Sequence, residues 1–158
     1  MKVSRRWRWI PLVFTVALVA ATPADSQATA ATEKSLYERL GGLPAISMVV
    51  NDFIDVLVPD ATLNQNAAIR EARARVPAPY LKYHVTAMVC QATGGPCQYT
   101  GRGMAESHAH LHITPAEWDR MAALFKGVLD KYKVPEKEQG ELFAIVGTTR
   151  ADIVEAKE

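Results

Sequence analysis

Gly94-Gly95-Pro96-Cys97-Gln98-Tyr99-Thr100-Gly101-Arg102-Gly103-Met104-Ala105-Glu106-Ser107-His108 is the stretch that decides how this chain folds. The glycine pair ends an amphipathic helix, because glycine enters the left-handed conformation of a helix C-terminus without a Cβ clash. A loop carrying Tyr99 follows, and then a short, mostly apolar helical turn delivers His108. On the helix before the break, Leu81, His84, Val85 and Met88 stand at i, i+3, i+4 and i+7 and share one face. Two imidazoles, His84 and His108, are thus expected to face each other across an apolar gap. That arrangement suits a flat, hydrophobic, metal-centred ligand.

Outward from this break every strong signal is helical. Ser35-Leu36-Tyr37-Glu38 spells a capping box, and Gly41-Gly42 stops the short helix it opens. Pro44 suits the first turn of the next helix, where Ile46, Val49, Val50, Phe53 and Leu57 recur at helical spacing. Between Pro59 and Pro77 the pattern weakens: Asn64, Gln65 and Asn66 read as a loop, and Ala67 to Arg75 as a charged, mobile helical turn. Pro79 starts the His84 helix. Thr114-Pro115-Ala116-Glu117 combines a second capping box with proline at the first helical position. The helix it opens buries Trp118, Met121, Ala122, Phe125, Val128, Leu129 and Tyr132. Pro135 starts a last helix with Leu142, Ile145, Val146, Thr149 and Ile153 on one side. No repeat and no convincing strand interrupts the series, so the expected product is one all-α domain.

The first residues read as an export leader rather than as fold. Lys2, Arg5, Arg6 and Arg8 form a basic start, Trp9 to Ala21 an apolar run, and Ser26-Gln27-Ala28 a small-x-small cleavage site. The run falls short of the ~20 apolar residues that span a bilayer, so a removed signal is expected and no retained membrane anchor. Ser4-Arg5-Arg6 also resembles the opening of a twin-arginine signal. The expected organisation is a signal peptide at 1–28, a flexible leader at 29–34 and the helical domain at 35–158, working in the periplasm or otherwise outside the cytoplasm. Without residues 1–28 the chain holds 14 basic and 16 acidic residues, a formal charge of −2. That balance leaves no basic face for nucleic acid.

Cys90 and Cys97 are spaced neither as a C-x-x-C redox motif nor as the C-x-x-C-H of covalent haem attachment. Two readings stay open. The pair closes a small loop in an oxidising compartment, or Cys90 is a buried apolar residue and Cys97 a loop thiol.

The order of parts resembles the group I truncated haemoglobins over roughly residues 35 to 155. The residues that carry the resemblance are Ser35 to Gly42, Asp52-Phe53, Gly94-Gly95-Pro96 with Tyr99-Thr100-Gly101, Met104 with His108, Ile113-Thr114, and Val134-Pro135. Each is weak alone, but their order and spacing are specific. The resemblance implies a two-over-two helical sandwich enclosing haem b (iron protoporphyrin IX), with His108 at the position of the proximal iron ligand. It places His84 where some members supply a second iron ligand and others a basic residue that reaches a haem propionate. His84 therefore has three readings: sixth iron ligand, propionate contact, or solvent-facing rim residue.

Two departures from the family pattern stand out. Where members often carry a tyrosine and a glutamine that hydrogen-bond the bound gas, this chain has Ile54 and Val85, with Leu81 one turn earlier. None of these side chains can donate. A hydrogen bond to a charged group contributes about 1.5–3 kcal/mol, and about 1.4 kcal/mol is a factor of ten. Tight oxygen storage is therefore not expected unless His84 donates instead. The segment from Pro59 to Tyr80 is also longer than usual and lacks the phenylalanine pair common there.

Phe53, Ile54, Leu81, Val85, Met88, Met104 and Ile113 are the expected apolar contacts of the ring, each with the alternative of ordinary core. Tyr99 and Lys82 are candidates for its propionate edge. The leading expectation is reversible binding of O₂, NO or CO at iron, with a partner reductase of unknown identity. Alternatives are an NO dioxygenase or peroxidase, an electron-transfer haem protein, or a non-haem metal module built on the histidines of His108-Ala109-His110-Leu111-His112.

Overall fold

The computed structural model describes residues 33–155, so the expected leader at 1–28 and most of the 29–34 linker lie outside it. Eight helices follow in order: α1 (Leu36–Arg39), α2 (Gly42–Leu57), α3 (Ala67–Arg75), α4 (Ala78–Ala92), α5 (Met104–His108), α6 (Pro115–Lys131), α7 (Glu136–Thr148) and α8 (Arg150–Ile153). A 3-10 turn at Leu63–Gln65 precedes α3. Among the described residues there are no strands, only an isolated parallel bridge between Ile113 and Val154. None of these helices is long and apolar enough to cross a membrane.

Local chemistry sets the element ends. Ser35 Oγ accepts from the Glu38 amide at 3.2 Å while the Ser35 amide donates to the Glu38 carboxylate at 2.8 Å. Gly41 and Gly42 then turn the chain at φ of 91° and 73°, where a side chain would be strained. Thr114 and Glu117 repeat the reciprocal pattern at the start of α6, with Pro115 at its first position.

The long helices make two packed pairs. α2 lies on α4, with Ile46, Val50 and Ile54 buried and Leu81, Val85 and Val89 of α4 packed against them. α6 and α7 meet through Phe125, Leu129 and Leu142, joined by Leu36 of α1. Contacts between α2 and α6 join the pairs. A smaller core gathers Ile69, Ile113, Trp118 and Ile153 beneath α5 and α8. This is the all-α, two-over-two sandwich expected from the sequence.

Three regions differ from the sequence reading. The segment read as a loop and mobile turn is an anchored nine-residue helix. Asn66 caps it through the Ala68 and Ile69 amides, and its own amide nitrogen donates to the Leu111 carbonyl at 2.9 Å. Arg73 donates to the Val58 carbonyl at 2.6 Å and to Asn64 at 2.8 Å. The helix expected to run from Pro135 through Ile153 breaks at Thr149. There the Thr148 and Thr149 hydroxyls donate back to the Ile145 and Val146 carbonyls, competing with the helical ladder. Third, Cys90 and Cys97 are joined, with Cα atoms 5.7 Å apart, which decides between the two readings of that pair.

Candidate functional site

His108 is the last residue of α5. Its Nδ1 lies 2.9 Å from the Met104 carbonyl one turn back. A carbonyl only accepts, so Nδ1 carries the proton and, in the neutral ring, Nε2 keeps the lone pair. This contact holds both tautomer and ring direction, as the partner of a metal-binding imidazole does.

His84 sits at mid-α4, half-buried, with three tyrosines about it. Ring centroids lie 4.2 Å away for Tyr80, 5.1 Å for Tyr83 and 5.9 Å, edge-on, for Tyr99. Its Nδ1 is sealed from solvent and has no hydrogen-bond partner among the described residues. Leaving a buried polar atom unpaired costs about 1–3 kcal/mol. The solvent-facing reading does not hold for this nitrogen.

Tyr99 is fixed by its own loop. Its amide donates to Gln91 at 2.6 Å and its hydroxyl to the Arg102 carbonyl at 2.8 Å. The ring lies so close over Gly101 that a Cβ there would collide with the phenol. The disulfide at Cys97 ties the same loop to the end of α4. Lys82, the other candidate for the propionate edge, forms an ion pair with Asp55 of α2 at 2.7 Å.

The remaining predicted contacts divide between two walls. Phe53, Ile54, Leu81 and Val85 come together in the α2–α4 core, where Ile54 is almost completely buried. Met104 and Ile113 join the separate core beneath α5 and α8. Met88 is half-buried and belongs to neither. Tyr80 and Tyr83 were missed by the sequence reading, although Tyr80 stands one turn before His84. Asn66 and Glu155 were missed too: an N-cap asparagine is a local signal for α3, but the contacts that bring both residues to this loop reach partners 45 residues away.

His108 and His112 take different partners. Among the described residues no three His, Cys, Asp or Glu side chains gather as a metal site. His108 turns its Nδ1 to Met104, whereas His112 lies 3.4 Å from Glu155.

Half-open apolar walls, an oriented imidazole on one helix and an orphaned one on another define a helical protein of the globin class. The chain matches the bacterial-like globin family over residues 35–155. It belongs to that family and, within it, to the group I truncated haemoglobins. It is 30% identical over 118 residues to the group 1 truncated hemoglobin GlbN of Synechocystis sp., covering 72% of this chain and 90% of that one. To GlbN of Nostoc sp. (strain MUN 8820) it is 28% identical over 118 residues, covering 75% and 83%. The 2/2 hemoglobin of Synechococcus sp. PCC 7002, solved in the cyanomet state with covalently attached heme, superposes with a TM-score of 0.67. That structure is 25% identical, over 77% of this chain and 98% of that one.

The residues fit a haem. His108 offers a lone pair on Nε2, and the buried Nδ1 of His84 has no partner among the described residues. α4 seals only Cys90 and α5 seals no residue, so the apolar side chains of both helices keep surface for a flat ligand.

Proposed function

We propose that this chain is a haem b globin that reversibly binds diatomic gases, with His108 as the protein ligand to iron. The observation that carries this reading is the Nδ1 contact of His108 with Met104, which leaves the lone pair on Nε2. The haem supplies an iron that binds O₂, NO or CO and exchanges single electrons. The chain's own residues do the rest. Met104 holds the proximal ring through its carbonyl. Phe53, Leu81 and Val85 supply an apolar distal wall without a hydrogen-bond donor, which favours fast release over storage.

With no gas bound, His84 would be the second residue to hold the iron; with gas bound, it would rest among Tyr80, Tyr83 and Tyr99. Stacking there contributes only about 0.5–1.5 kcal/mol per aromatic pair, and the unpaired Nδ1 offsets part of it, so neither position is deep. We also place the mature domain outside the cytoplasm. The leader-like residues 1–28 support this, as does the Cys90–Cys97 bridge, since such bonds persist in oxidising compartments.

The test is the absorption spectrum of the reduced protein made in haem-replete cells. Sharp, split visible bands are expected for the native chain and one broad band for His84→Leu. His108→Ala should lose the axial signature. A colourless native protein, or pigment with an unchanged signature in His108→Ala, overturns the reading. Recovery of the native chain with residue 1 still attached in the cytoplasmic fraction overturns the placement.

A further inference from the structure

The loop that follows His108 is held in a conformation it would not choose alone. His110 and His112 sit at φ of 65° and 52°, the left-handed region that residues with a Cβ avoid. Such residues persist only where their surroundings over-determine them. Here the surroundings are a clasp made by the end of the described chain.

Glu155 Oε1 accepts the His110 amide at 2.8 Å, and Oε2 lies 3.4 Å from His112 Nδ1. The Glu155 amide donates to the Ile113 carbonyl at 3.1 Å, and Val154 bridges Ile113 in parallel. From the other side Asn66 grips the Leu111 carbonyl. Ile153, Ile113 and Met104 share one apolar core, so the clasp and the helix carrying His108 rest on the same side chains. Nothing in the gas-binding reading uses Glu155.

The geometry points to Glu155 as a positioning residue for the His108 imidazole, acting through the His110 amide. This rests on His108 being the iron ligand. Of its two carboxylate contacts, the amide one carries the effect. His112 is 71% exposed and its pairing is long, so it adds little. A carboxylate accepting from a backbone amide is a charge-assisted bond, roughly twice as strong as a neutral one. Releasing it loosens the strained His110, two residues behind the ligand. The ring then depends more on Met104, on the Asn66–Leu111 contact and on the shared apolar core.

The test uses the full, haem-loaded chain in a His84→Leu background, where the proximal bond is read by itself. Glu155→Ala should shift and broaden the iron–histidine stretch in resonance Raman spectra. It should also speed haem transfer to an acceptor protein about tenfold, the factor that loss of about 1.4 kcal/mol gives. Glu155→Gln keeps an oxygen for the His110 amide and should retain most of the parent spectrum, whereas a mere need for charge would make it behave like Ala. Amide exchange at His110 confirms that the clasp has opened. If exchange there quickens in Glu155→Ala while the stretch and haem transfer stay at parent values, the inference falls and the His108 reading stands. If the parent shows no iron–histidine stretch and His108→Ala leaves its spectrum unchanged, the His108 reading itself falls.

Discussion

α4 and α6 are nearly equal in length and both carry an apolar face, yet α6 seals Trp118, Phe125, Val128 and Leu129 while α4 seals Cys90 alone. The difference is not composition. α6 meets α7, α2 and the N-terminal α1 around a small apolar cavity of about 40 Å³ lined by Phe125, Leu129 and Leu142, and Leu129 has no exposed surface. On α4, one flank with Leu81, Val85 and Val89 packs on α2, and the rest, including His84 and Met88, stays half-exposed. One half of the molecule is finished by the protein; the other keeps apolar surface that a ligand would finish. Burial contributes roughly 25 cal/mol per Å² of apolar area. The open half is therefore where ligand binding and folding stability are linked.

The sharpest way to break that comparison is to cut one side chain from each half and measure unfolding with and without haem. Leu129→Ala should cost about 3–5 kcal/mol in both forms, because a sealed side chain leaves a cavity whatever else is bound. Met88→Ala should cost less than about 1 kcal/mol in the haem-free protein and distinctly more once haem is bound. Equal losses in the two forms for Met88→Ala would mean that α4 is simply a loosely packed helix.

The disulfide gives a second, smaller contrast. Cys90 is fully buried on α4, and Cys97 anchors the loop that sets Tyr99 edge-on to His84. Chain-entropy reasoning for so short a loop assigns the bridge about 2–3 kcal/mol. The Cys90→Ala, Cys97→Ser pair of changes should lower stability by that amount. It should also alter the His84-dependent band pattern while leaving His108 ligation intact. A variant that loses stability without any change in the visible spectrum would show that the loop does not govern His84.

A third contrast concerns the helix starts. Thr114→Ala removes the cap of the closed-half helix α6 and should cost about 1 kcal/mol by thermal unfolding.

What was legible in the sequence follows the range of the interactions. Both capping boxes close over three residues, and both were readable from residue type and spacing alone. The shared face of Leu81 and Val85 was readable from periodicity. Periodicity gives a direction and not a neighbour, though, so it grouped Met88 with them when Met88 joins no packed core. Asn66 illustrates the limit. Its capping of α3 closes over two and three residues, but only the contact with Leu111 across the fold shows that it also braces the segment behind His108. Glu155 is the same case at the other end. The break at Thr149 was missed because hydroxyl back-bonds compete with a helical pattern that the apolar spacing alone would continue.

The smallest effect tests whether the closed half is also the half that acid opens. Asp52 of α2 accepts from Lys131 at 2.6 Å and from the Tyr132 hydroxyl at 2.9 Å, bolting α2 to the end of α6. The hydrogen bonds from Lys131, Tyr132 and Asn51 hold its carboxyl down at about 2, against about 3.9 in an unfolded chain. A depressed folded value means the stabilisation is fully present above pH ~4 and is lost as pH falls towards 2. Asp52→Asn should therefore flatten the fall in stability between about pH 4 and 2, read by urea unfolding at each pH. If the contact belongs to the closed half, the change in slope should be the same in haem-free and haem-loaded protein. A slope that changes only in the loaded form would place the acid-sensitive contact in the open half, and the division drawn between α4 and α6 would have to be redrawn.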